Sequence, residues 1–164
     1  RSITTLGAPA LLSLLTGTLA SSGGGTSAPT SQAPAAPSVP SVDTAGAQGL
    51  SSADETLQVV SMPATGSTTV SGTVAGYESN AYAVPVGAGQ TLRVDFQPSN
   101  TNLYMNIHDT ADQSGAAVHR GEVDGPSAVL SPAAPTTYLI RPFQPRAMAR
   151  RNETGDYTIQ IARN

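Results

Sequence analysis

The sequence predicts an all-β fold class: an antiparallel β-sandwich, jelly-roll-like, of about eight short strands behind a disordered N-terminal linker. Three observations carry this. From about Thr56 onward, apolar residues recur with period two, the period of a half-buried strand. Clusters of Gly, Pro, Asn and Asp interrupt those runs at short intervals. No stretch shows helical periodicity of helix length, and only Arg146–Asn152 admits a single turn.

The elements follow in order. Leu57, Val59 and Met62 open the domain. Thr68–Val74, Ala81–Val86, Thr91–Phe96 and Leu103–Ile107 read as strands, followed by Ala128–Leu130, Thr137–Ile140 and Tyr157–Ile161. Turn signals stand between them at Gly87–Gly89, Pro98–Asn100, Asp112–Gly115, Gly125-Pro126, Pro132–Pro135 and Gly155-Asp156. Tyr82, Tyr104, Tyr138 and Tyr157 lie inside strand-like runs, which makes them packing residues.

Ahead of this domain, spanning 56–164, lie two segments of different character. Residues 1–22 read as an export signal. Arg1 stands in the charged region, and Leu11, Leu12, Leu14, Leu15 and Leu19 form an apolar run too short to span a bilayer. Leu19-Ala20-Ser21-Ser22-Gly23 follows the pattern of a bacterial lipoprotein signal, with Ser22 where the lipid-bearing Cys would stand. Either Ser22 replaces that Cys or Ala20 marks a signal-peptidase site, and both readings place the protein in the periplasm or outer envelope. Residues 23–55 are rich in Ser, Thr, Ala, Pro and Gly and nearly uncharged. Such a stretch buries too little apolar area to offset its ordering entropy, so it reads as a flexible tether.

Composition narrows the function. Across 164 residues the net charge is −3 and only 12% are charged, which argues against a nucleic-acid footprint. There is no Cys, so disulfides, thiol nucleophiles and thiolate metal sites are excluded. No Gly-x-Ser-x-Gly nucleophile turn occurs, and the glycine pairs are too isolated to cradle phosphate. Nothing in the chain reads as a catalytic set of the common hydrolase kinds.

The densest chemistry lies near the end. Four of the eight basic residues, all eight of them Arg, fall between Arg141 and Arg151. A strand, an arginine-studded excursion and a returning strand form a binding loop on a rigid scaffold. Arg146 and Arg150 are spaced i, i+4, so one helical turn would point both the same way, toward acidic groups such as the carboxylates of an enzyme cleft. The alternative is a solvated loop in which the arginines pair with Glu153 and Asp156.

Tyr138, Arg141, Gln144, Arg146, Ala149, Arg150, Asn152, Thr154 and Tyr157 match in spacing the C-terminal motif of bacterial periplasmic inhibitors of goose-type (g-type) lysozyme. Ser71–Tyr77, Tyr82 and Gly89–Val94 also resemble that family, so the likeness spans about residues 70–161. The Gly-Gln-Thr-Leu opening at Gly89 also resembles pre-peptidase C-terminal β domains. The resemblance implies a compact sandwich whose loops plug the lysozyme substrate cleft. Tyr77, Arg141, Arg146 and Arg150 are then partner contacts, with Asn152 and Thr154 shaping the loop. Asn106–Pro126 departs from the pattern.

That departing middle holds both histidines, His108 and His119, with Asp109, Asp112, Glu122 and Asp124 nearby. Imidazole binds copper well, and carboxylates complete such sites. If 103–109 and 116–122 form a hairpin, the two imidazoles could face each other. An exported sandwich binding copper is similar to copper-dependent superoxide dismutases, which supply four His and a disulfide where this chain has two His and no Cys. The alternative is two surface histidines among acidic loop residues.

Three functions follow. The first is an envelope protein-binding domain without enzymatic activity or cofactor, most specifically an inhibitor of g-type lysozyme. The second is an accessory subunit of a surface-layer or outer-envelope assembly. The third is a copper-binding, superoxide dismutase-like protein using His108 and His119.

Overall fold

The computed structural model describes residues 38–164, so the export signal, the lipid question at Ser22 and residues 23–37 of the tether lie outside the described residues. The chain forms helix α1 (Thr44–Leu50), then strands β1 (Glu55–Val59), β2 (Gly66–Ala75), β3 (Ser79–Val86), β4 (Leu92–Pro98), β5 (Tyr104–Asp109) and β6 (Ala117–Arg120). Helix α2 (Gly121–Asp124), β7 (Ser127–Leu130), β8 (Thr136–Phe143), α3 (Arg146–Arg150) and β9 (Thr154–Arg163) complete it. The nine strands make two sheets, five-stranded β1-β3-β8-β5-β6 and four-stranded β2-β9-β4-β7. The expected all-β sandwich is therefore present, antiparallel except where β1 runs parallel to β3.

The core lies where the inward residues of both sheets meet. Val84, Ile107 and Ile140 of one sheet and Val94, Ile159 and Ile161 of the other are fully buried in it. With no Trp, tyrosines supply the bulk. Tyr82 of β3 and Tyr157 of β9 meet edge-on at 6.2 Å and share an OH···OH hydrogen bond of 2.8 Å. Burial, with the Tyr82 hydroxyl adding to it, raises the Tyr157 pKa above the ordinary phenol value and keeps that hydroxyl protonated. Gly72 makes room for the pair: a Cβ there would lie 2.4 Å from the Tyr157 hydroxyl. Arg163 ends β9 buried, donating to the carbonyls of Ala64, Met62, Pro63 and Pro85 and so fastening the crossover into β2.

The ordered domain begins before the change of period at Thr56, which corrects the reading of residues 23–55 as tether throughout. The Asp43 carboxylate caps α1 through the Gly46 N–H at 2.8 Å, and the Asp43 N–H donates to Thr137 Oγ1 at 2.9 Å. Ala47 and Leu50 of α1 then pack on Ala81, Ala83 and Leu139, forming a second, smaller core on the outer face of the five-stranded sheet. The sequence here looks like a linker because only these two positions of the seven-residue helix are buried and two others are Gly.

Candidate functional site

At one end of the sandwich, two connections from different parts of the chain meet. The first is the turn from β2 to β3. Gly76 sits in the left-handed region at φ 61, and an added Cβ would lie 3.0 Å from Asn152 Oδ1. Tyr77 follows, with 53% of its surface exposed.

The second is the loop from β8 to β9. Pro145 starts α3, and its carbonyl accepts the N–H groups of Met148 and Ala149 at 2.9 and 3.0 Å. Ala149 is buried and seats the turn, while Arg146 and Arg150 are exposed at i, i+4. The loop closes through Asn152, whose φ of 53 is the only positive value outside glycine among the described residues, and Thr154 rejoins the sheet opposite Ala75. Asn tolerates that conformation better than most side chains. The one expected helical turn is therefore present.

A single side chain joins the two connections. Gln144, 8% exposed, donates from Nε2 to the Gly76 carbonyl at 2.9 Å and to the Glu153 carbonyl at 2.7 Å. The Gly76 N–H donates to the same Glu153 carbonyl at 3.0 Å. Tyr77, Arg146 and Arg141 line one cleft of 220 Å³, and Tyr77, Asn152 and Thr154 line an adjoining one of 510 Å³ with Asp54 and Glu78. Among the described residues, neither Arg146 nor Arg150 makes a salt bridge; Glu153 pairs instead with Arg151 at 2.7 Å.

Arg141 has a different position from its neighbours in the motif. Its guanidinium grips Glu55 of β1, with Nε 2.9 Å from Oε1 and Nη2 2.8 Å from Oε2, and Nη2 also reaches Ser52 Oγ at 2.9 Å. The Glu55 side chain is only 7% exposed. Arg141 therefore borders the cleft but spends its donors inside the protein, tying β1 and the chain before it to β8. The expected contact is here a structural ion pair, because β1 brings a buried carboxylate to it.

The histidine reading is corrected by strand register. The hairpin exists: β5 and β6 pair Ile107 with His119 and His108 with Ala117, with a bulge between Ile107 and His108. Ile107 points into the main core, so His119 shares that inner face, and its Nε2 donates to the Gly125 carbonyl at 2.8 Å. His108 lies opposite Leu139 of the outer core and faces Arg141, Nε2 to Nη1 3.5 Å. The imidazoles thus point to opposite sides of one sheet. Burial, then the adjacent Arg141 charge, lowers the His108 pKa and keeps the ring neutral, while Nδ1 has no hydrogen-bond partner.

The carboxylates nearby are occupied with local turns. Asp109 accepts from the Ala111 N–H and the Thr136 hydroxyl. Asp112 accepts from the Ser114 N–H, and the Ser114 hydrogen bonds lower its pKa. Glu122 is exposed on α2. Among the described residues, no three His, Asp or Glu side chains gather as a metal-binding group.

No protein-family model and no curated protein sequence matches the chain. Solved structures do. PliG of Aeromonas hydrophila, a periplasmic lysozyme inhibitor of g-type lysozyme, is 27% identical, with a TM-score of 0.59 over 67% of this chain and 97% of that one. A mutant PliG from Escherichia coli is 23% identical, with a TM-score of 0.50 over 67% and 98% of the two chains. PliG from Salmonella Typhimurium is 22% identical, with a TM-score of 0.50 over 66% and 98%. These last two share the fold. The motif residues from Tyr138 to Tyr157 thus stand on a scaffold similar to that of the Aeromonas hydrophila inhibitor along 97% of that inhibitor's length.

Proposed function

We propose that this protein is an exported inhibitor of g-type lysozyme in the cell envelope. It acts sterically, by seating Tyr77 and the loop that carries Arg146 and Arg150 in the substrate cleft of the enzyme. One observation carries the reading: a chain similar to an inhibitor along 97% of that inhibitor's length exposes Tyr77, Arg146 and Arg150 together at one end. Glycosidase clefts hold catalytic carboxylates. A guanidinium fork can bind such groups through two parallel, charge-assisted bonds. Tyr and Arg are also the side chains that most often dominate binding energy at protein interfaces. Asn152 and Thr154 contribute by shaping the loop, and Arg141 by holding its base.

The test is lysis of cell-wall substrate by a g-type lysozyme, titrated with the full chain. Arg146→Ala with Arg150→Ala should weaken inhibition at least a hundredfold, about 2.7 kcal/mol or more. Stability should stay within about 0.5 kcal/mol of wild type, as expected for exposed side chains away from any core. If the wild-type chain at high micromolar concentration leaves lysis untouched, the inhibitor reading fails. Recovery of a different envelope protein by the same chain would then favour an accessory role in a surface assembly.

A further inference from the structure

We propose that Gln144 is the positioning residue of this surface: it locks the Tyr77 turn to the arginine loop, so that the two present one preformed face. The inference rests on the inhibitor reading for its consequence and on hydrogen bonds for its geometry.

Gln144 stands 68 residues from Gly76, and the turn and the loop belong to separate connections. Left unjoined, each would sample its own conformations, and a partner would have to order both on binding. The Gln144 amide removes that requirement. Its single nitrogen carries two protons and supplies one each to the carbonyls of Gly76 and Glu153. Gly76 directly precedes Tyr77, and Glu153 ends the loop that carries Arg146 and Arg150. The Glu153 carbonyl uses its second lone pair for the Gly76 N–H.

Both bonds come from one atom to two carbonyls, so that atom must carry two protons, which an NH₂ group does and a hydroxyl does not. A cationic donor would bring a charge into a buried position, so a neutral amide is the group that fits. Gln144 itself, 8% exposed, offers a partner almost no surface. Its effect on binding must pass through Tyr77 and the arginines.

The experiment compares the full wild-type chain with Gln144→Met, which keeps length and apolar bulk but removes both donors. Inhibition of g-type lysozyme should weaken at least tenfold at equal folded concentration. Tyr77→Ala should cost several-fold less in the Gln144→Met background than in wild type, since the variant has already released the turn. Hydrogen exchange of the Gly76 amide should quicken at least tenfold, while the amides of Ile159 and Ile161 keep their rates. Equal costs of Tyr77→Ala on both backgrounds would overturn the proposal, because a residue acting only on overall stability behaves that way. An unchanged Gly76 exchange rate would overturn it too. That exchange measurement needs no partner, so it decides the staple even if wild type fails to inhibit, a result that counts against the inhibitor reading alone. If Gln144→Met does not fold, Gln144→Asn replaces it with the same expectations, since its amide is withdrawn by one methylene.

Discussion

The loop from β8 to β9 and the hairpin of β5 and β6 hold the chain's two concentrations of candidate chemistry, and they are built in opposite senses. In the loop, the backbone is held from below by Gln144 and Ala149, and the charged side chains are left in solvent. In the hairpin, His108 and His119 are turned into the protein, and the carboxylates between them are used in turns. Both look equally chemical as lists of residues. Only the first combines a fixed backbone with uncommitted side chains, which is what recognition of a partner needs.

The contrast is sharpest within the motif itself, where Arg141 is enclosed and Arg146 is not. Arg141→Ala leaves the Glu55 carboxylate buried without its partner, and the loss of one member of such a pair costs about 3 kcal/mol. Denaturant unfolding should show this directly. It should also show that Arg141→Ala with Glu55→Ala is less destabilised than the sum of the single variants. If Arg141→Ala proved as stable as Arg146→Ala, the division between enclosed and free arginines would not hold. A smaller effect is expected at Gly76. Gly76→Ala forces an L-residue to φ 61 and crowds Asn152, which should cost about 1–2 kcal/mol. Inhibition should weaken alongside, because the strain lies directly beneath Tyr77.

Most strands were legible because one face is wet. Thr91–Phe96 and Tyr157–Ile161 alternate as a half-buried sheet must, and they became β4 and β9. Helix α1 was not legible, because its contacts are few and distant: Ala47 and Leu50 meet Ala81, Ala83 and Leu139. A signal was nonetheless present. Ala81–Val86 and Tyr138–Ile140 are apolar without alternation, which means that both faces of β3 and β8 are covered and something must lie outside them. At the site, the Arg146 and Arg150 pairing was visible as i, i+4 spacing, and Tyr77 came through family resemblance. The fate of Arg141 could not be read, because Glu55 lies 86 residues away and only the parallel β1–β3 register brings it near. Gln144 was visible as a motif member, but its role depends on two carbonyls that no side-chain pattern encodes.

On the hairpin side, His108 should leave its mark as a pH effect of modest size. Its pKa is lowered in the folded protein by burial first and by Arg141 second, while the nearby Ala116 backbone, then Glu55 and Asp112, oppose the shift. The unfolded chain therefore takes up a proton at a higher pH than the native state does. Stability should be full above the unfolded value of about 6.5 and fall as pH drops below it toward the folded pKa. Denaturation midpoints measured from pH 7.5 to 5 should decline for wild type and decline less for His108→Gln. Asp112 also favours stability at higher pH, but its window lies below the ordinary carboxylate value and does not overlap.

The smallest difference is expected where the histidines would have to act together. A copper ion held by both needs two imidazoles on one side of the hairpin, whereas here the sheet itself separates them and the Gly125 carbonyl already occupies His119 Nε2. After copper loading and desalting, elemental analysis of wild type and of His108→Gln with His119→Gln should return the same copper content. A stoichiometric copper in wild type that the double variant lacks would require β6 to shift register by one residue, moving His119 to the outer face beside His108. Such a shift would expose Ile107's cross-strand contact and place Val118 or Arg120 in the core, so the copper-bound hairpin would also differ in its backbone amide exchange.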